Sequence, residues 1–217
     1  MKKSSEDMVQ VIYKDIKYKI ITQELKANDR LIETKLASEY HASRLHVKEA
    51  LRLLELEQLA KHIPRCGVIV MGITNETLKE IADLRQALEG LVVRTIMPNI
   101  TDDFLIELEQ IYKRFEAFLK CGLINDSLDE AHLFYHKIYE LCPYKRVISI
   151  LDTYADYIDV IMKLTITTKA NQLDGVENLQ GILNALKSRN LEDTLYQFNM
   201  RHKHLYLSNE INHQQNE

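Results

Sequence analysis

Residues 34–52, Thr-Lys-Leu-Ala-Ser-Glu-Tyr-His-Ala-Ser-Arg-Leu-His-Val-Lys-Glu-Ala-Leu-Arg, constrain the fold more than any other stretch, because they read as a short helix, a tight turn and a second helix. Leu36, Ala37 and Tyr40 give the first helix an apolar face, and Val47, Ala50, Leu51 and Leu54 recur at i, i+3, i+4, i+7 in the second. Ser43 stands where an N-cap belongs, so that its hydroxyl can satisfy the first free backbone N–H groups. The exposed first turn that follows carries Arg44, His46 and Lys48. Polar, mostly cationic groups at the start of a helix, with an apolar face behind them, suit a recognition helix; an ordinary helical hairpin shares the spacing.

The next residues separate these two readings. Leu51 to Leu59 continues the second helix, and Lys61-His62-Ile63-Pro64-Arg65-Cys66-Gly67-Val68-Ile69-Val70 reads as two short β segments around a turn at Arg65-Cys66-Gly67. Together these elements predict a winged helix-turn-helix. The residue order resembles the N-terminal domain of the GntR family of bacterial transcription regulators. The matching residues are Leu36-Ala37, Ser43-Arg44, Val47-Lys48-Glu49-Ala50-Leu51, Pro64 and Gly67, with Lys48 in place of the usual arginine. The resemblance implies DNA binding through Ser43, Arg44, His46 and Lys48, with Arg65 and Gly67 of the wing approaching backbone or minor groove. Departures are Gln23, Ala27 and Asn28 where relatives carry Gly and Pro-Gly, and Thr34 and His46 where they often carry Arg and Pro. Asn28 remains able to take the left-handed conformation of the missing glycine.

Charge supports the same division of labour. Residues 1–71 hold 13 Lys and Arg against 10 Asp and Glu, a balance of +3, whereas the remainder holds 15 against 22, or −7. A basic N-terminal part on an acidic remainder suits nucleic acid at one end. With 217 residues, 46% of them hydrophobic, the chain is long enough for one large or two small domains. No run approaches the ~18 apolar residues of a membrane helix, and the N-terminus lacks the apolar core of a signal peptide. Cys66, Cys121 and Cys142 are odd in number and widely spaced, which argues against a disulfide framework or zinc finger and for a reducing cytoplasm.

Residues 5–24 form a first helix with Val9, Ile12, Ile16 and Ile20 as its stripe, and 25–31 a loop into the motif. From Ile73 onward helical spacing predicts helices near 75–97, 101–120, 126–141, 144–168, 175–188 and 191–208. The expected fold is mainly α: residues 1–72 a winged helix-turn-helix with a small β-wing, and 73–217 an all-helical antiparallel bundle. The second part resembles the ligand-binding domain of the FadR subfamily within the GntR family, known as the FCD type. Leu84-Arg85-Gln86-Ala87-Leu88-Glu89 matches its Arg-x-x-x-Glu element. His132-Leu133-Phe134-Tyr135-His136 matches its Asp-x-x-Phe-His element, with His132 at the Asp position. The resemblance implies a divalent metal that helps bind a small carboxylate, but Leu179 stands where a further histidine is expected.

The side chains themselves leave alternatives open. His132 and His136 lie one turn apart, and His202 falls on the inward stripe of Leu191, Leu195, Phe198 and Leu205, so three imidazoles are available for Zn, Ni or Mn, or serve as core and rim residues. Arg85 lies on the core stripe of its helix and needs a partner, either Glu89 at i+4 or an anionic ligand. Tyr135 and Tyr139 either line a pocket or fill the bundle. The reading that unites these features is a homodimeric, non-enzymatic regulator binding double-stranded operator DNA, with Arg85 and Tyr135 contacting a small organic acid. A metal-assisted hydrolase built on His132, His136, Tyr135 and Arg85 is the rival, and no nucleophile motif supports it; a third reading, suggested by Leu179, is a regulator that has lost its metal site or an adaptor that has lost its ligand.

Overall fold

Ile12, Ile16 and Ile20 are all within 1% of full burial, and they explain why α1 (Ser5–Ile21) packs along the second helix of the motif. The computed structural model describes residues 5–166 and 168–201 and divides into two units, Met1–Thr74 and Asn75–Glu217. In the first unit α1 is followed by β1 (Arg30–Leu31), α2 (Glu33–Glu39), α3 (Arg44–Leu56), β2 (Ala60–Ile63) and β3 (Gly67–Val70). Val47, Ala50, Leu51 and Leu54 form the buried face of α3. The wing is one strand larger than the sequence suggests. Its order is β1-β3-β2, all antiparallel, with Leu31 opposite Val68 and Ala60 opposite Val70. A strand of two residues is too short to show alternation, so residues 25–31 read as loop alone.

Left-handed backbone shapes the loops. Asn28 has φ +74° and donates its N–H to the Val70 carbonyl at 2.8 Å, as the substitution of asparagine for glycine requires. Gly72 has φ +78°, and a Cβ there would sit 3.0 Å from the Cβ of Ala27, so both conformation and space demand glycine.

The second unit consists, among the described residues, of α4 (Asn75–Ile96), α5 (Asp102–Lys120), α6 (Ile124–Glu140), α7 (Lys145–Thr153), α8 (Ala155–Thr165), α9 (Lys169–Lys187) and α10 (Leu191–Arg201). Its core gathers Val92, Leu108, Phe115, Phe134, Ile138 and Phe198, among others. The long helix expected over 144–168 is two helices broken at Tyr154, and α9 begins at Lys169 instead of residue 175. The break has a tertiary cause. Arg85 Nη1 donates to the Leu151 carbonyl at 2.7 Å, and that carbonyl is the acceptor a continuous helix would offer to Ala155. Among the described residues no helix is long and apolar enough to cross a membrane.

Candidate functional site

In the first unit the Ser43 hydroxyl accepts from the His46 backbone N–H at 3.2 Å, closing the N-cap of α3. Arg44 and Lys48 are exposed and His46 is half-buried. The wing turn brings Arg65, with φ +67°, and Gly67, with φ +85°, to an exposed tip. Glu49 is engaged by Arg52 at 2.6 Å, which leaves the cations of the first turn as the dominant charge there. Sequence reasoning passed over Leu45. It sits between Arg44 and His46 and is 73% exposed, the most exposed large hydrophobic side chain among the described residues. Its signal was its place on the polar face of α3, where an amphipathic helix has no packing use for leucine.

Polar links hold α3 and α2 to α1. Lys17, 1% exposed, makes an ion pair with Glu57 at 2.9 Å, and Tyr13 donates its hydroxyl to the same carboxylate. Tyr40 of the turn donates to Asp15, and burial together with that carboxylate pushes its phenol up to about 12.

In the second unit a buried polar cluster replaces simple helix packing. Arg85 and Glu89, 2% and 1% exposed, pair at 3.0 Å. The same Glu89 Oε1 accepts the Tyr139 hydroxyl at 2.6 Å and Arg201 Nη1 at 3.0 Å. Arg201 arrives from the last described turn of α10, and its guanidinium carbon lies 3.4 Å from the centre of the Tyr135 ring. Burial pushes the Tyr135 phenol up to about 12 and, together with the Glu89 charge, raises that of Tyr139, so both hydroxyls remain protonated at neutral pH. Tyr135 donates onward to Asn178 at 2.8 Å. A recess beside the cluster is lined by Arg85, Arg201, Tyr135, Tyr139, His132 and Asp159, among others.

The structure therefore brings Arg85 and Tyr135 together, and adds Glu89, Tyr139 and Arg201. It places His132 and His136 at the rim with side chains 52% and 49% exposed. His132 faces Asp159 at 3.4 Å, and that carboxylate raises its imidazole pKa; His136 faces Glu140 at 3.2 Å. Their rings are nearly parallel, with centroids 6.5 Å apart. Leu179 is buried at 2%, His202 lies outside the described residues, and among the described residues no group of three metal-ligating side chains forms. The described side chains alone therefore do not supply the three or four donors that a divalent metal takes.

The comparisons follow the same two-part division. The gntR family of bacterial regulatory proteins matches residues 8–70, and the FCD domain matches residues 80–198. The gluconate operon transcriptional repressor of Bacillus licheniformis is 27% identical over 124 residues, 57% of this chain and 51% of that protein. The match thus spans about half the length of such curated relatives. Among solved structures, McbR/YncC of Escherichia coli has a TM-score of 0.69 at 21% identity, covering 97% of this chain and 99% of that one. A regulator described as a putative GntR from Rhodococcus sp. RHA1 has a TM-score of 0.65 at 16% identity, covering 92% and 96%. These likenesses show the fold, and the FCD match alone covers more than half of the chain: the protein belongs to the FCD-domain family, with an N-terminal part that matches the gntR family of bacterial regulatory proteins.

Proposed function

We propose that the protein is a homodimeric transcription regulator of the FadR subfamily, acting in the cytoplasm, whose α3 and wing bind operator DNA and whose helical unit binds a small carboxylate effector. The observation that carries the DNA reading is the capped N-terminus of α3, followed by exposed Arg44 and Lys48, with the exposed Arg65–Gly67 tip in the same unit. The buried Arg85 and Tyr135 beside an open recess support the effector reading. Effector binding biases the placement of the two DNA-binding heads of the dimer, which is how a ligand remote from DNA alters affinity.

Selection of genomic fragments by the purified protein, followed by footprinting, tests the reading. Two half-sites related by a two-fold axis are expected, with affinity falling steeply as salt rises because phosphate contacts release counterions. A monomer in sedimentation with a single asymmetric footprint, or no selected sequence, counts against it. Arg44→Ala should weaken operator binding by about 1–3 kcal/mol and relax the preference at one base pair, with the melting curve unchanged. Unaltered affinity and base preference would remove Arg44 from the interface.

Leu45 has a narrower role. An exposed apolar side chain in the first turn of a recognition helix suits the 5-methyl group of thymine, the one apolar feature of the major groove. Replacing each operator thymine in turn by uracil should weaken the wild type at one position and leave Leu45→Ala indifferent there. Equal losses in both proteins at every position would sink this assignment.

A further inference from the structure

The following rests on the effector-binding reading of the helical unit and concerns how that unit holds its ligand. Arg85 from α4 and Arg201 from α10 converge on a single carboxylate oxygen, Glu89 Oε1, each at 3.0 Å. Guanidinium is always charged, so one carboxylate neutralises one of the two cations, and Glu89 is the only buried carboxylate among the described residues. Tyr139 adds a neutral hydroxyl to the same oxygen and does not change this balance. The Nε atoms of both Arg85 and Arg201 are buried and have no hydrogen-bond partner. Arginine grips a carboxylate through adjacent N–H groups, and the Nε–H of each guanidinium is the donor left unused.

Two adjoining spaces lie beside the guanidiniums. A recess of about 20 Å³ is lined by both Arg85 and Arg201, and it shares Arg201, His132, Tyr135 and Asp159 with a cavity of about 60 Å³ that also borders Lys163. That is room for roughly four water-sized positions, the scale of a short carboxylate. Asp152 at the mouth is exposed, and Asp159 is half-exposed and engaged by His132 at 3.4 Å, so their charges are screened by water while the guanidiniums are not. A divalent cation at the same place would face two guanidiniums, whereas the carboxylates on the walls, Asp129, Asp152 and Asp159, are exposed or half-exposed.

We propose that the helical unit binds a small carboxylate directly between the Arg85 and Arg201 guanidiniums, without a metal ion. Glu89 holds the two cations in register as a built-in carboxylate. The ligand supplies the second negative charge, and its hydroxyl or ammonium groups, where present, reach the acidic mouth at Asp152 and Asp159. Arg201 makes α10 part of the ligand site, so that binding tightens the end of that helix against α4 and α6.

The test uses the full chain, produced without a histidine tag and dialysed against EDTA, titrated calorimetrically with acetate, glycolate and lactate and melted in their presence. At least one of the three should bind in EDTA and raise the melting temperature. Arg85→Lys and Arg201→Lys keep the charge and lose the fork, and each should weaken binding at least tenfold; His136→Ala should stay within twofold. Glu89→Gln provides a readout that a purely structural cluster would not give: with its own carboxylate gone, the variant should gain more melting temperature from acetate than the wild type gains. Binding abolished by EDTA and restored by zinc or manganese overturns the proposal, as does the absence of any response in both the wild type and Glu89→Gln. Carboxylate binding in EDTA without any change in DNA affinity supports the clamp and instead counts against the ligand-responsive regulator.

Discussion

Glu89→Ala should destabilise the helical unit by about 3–5 kcal/mol, the range for breaking a buried ion pair by removing one partner. Three donors meet on Glu89 Oε1: Arg85 at 3.0 Å, Arg201 at 3.0 Å and Tyr139 at 2.6 Å. Alanine leaves both guanidiniums in an interior where Arg85 is 2% exposed, with no counter-charge on the site and with mutual repulsion in place of shared attraction. Neutralisation offers no escape, because arginine does not give up its proton. Removing Arg85 should cost less, since Glu89 would keep Arg201 and Tyr139. Urea unfolding followed by tyrosine fluorescence, with the two units resolved by hydrogen exchange, measures the difference. A loss under about 1 kcal/mol would mean that water reaches the cluster and that its charges are already solvated.

The same cluster shows where sequence reasoning stops. The apolar stripes of α3, α4 and α6 were legible because their spacing repeats, and the N-cap at Ser43 because serine before an apolar-periodic run has a local mechanism. Arg85 was legible as a misplaced charge on an apolar face. Arg201 was not. It lies three residues beyond the buried Phe198, on the face that points inward, yet a charged residue near a helix end ordinarily reads as solvated. The break between α7 and α8 was equally hidden, because neither glycine nor proline marks it. A side chain 66 positions away in sequence takes the Leu151 carbonyl, and no local pattern carries that information. The histidines show a different limit: a spacing of i, i+4 puts two rings on one face, but which groups they then meet, here Asp159 for His132 and Glu140 for His136, depends on rotamers that spacing does not carry.

Lys17 extends this point to the DNA-binding unit, where Lys17→Ala should cost about 3 kcal/mol or more. Its position beside Ile16 on a helix rich in lysine reads as surface, but its side chain is 2% exposed and its ammonium lies 2.9 Å from Glu57, whose side chain is 11% exposed. Glu57 is the C-cap residue of α3, so this pair fastens the far end of the recognition helix to α1. Alanine would leave the carboxylate in a poorly solvated place with the Tyr13 hydroxyl beside it. Lys19, two residues on, provides the control. Its ammonium is 2.8 Å from Asp15, but the two side chains are 29% and 42% exposed and spaced i,i+4, so Lys19→Ala should cost about 0.5 kcal/mol. Both substitutions remove one positive charge from the same helix, so a general electrostatic loss would weaken DNA binding equally in the two variants. If the buried pair orients α3, Lys17→Ala should lower both the melting temperature of the first unit and operator affinity at temperatures where it is still folded, whereas Lys19→Ala should leave the melting temperature nearly unchanged. Equal melting temperatures for the two variants would place Lys17 in solvent and leave the apolar contacts of Ile12, Ile16 and Ile20 to hold α3 alone.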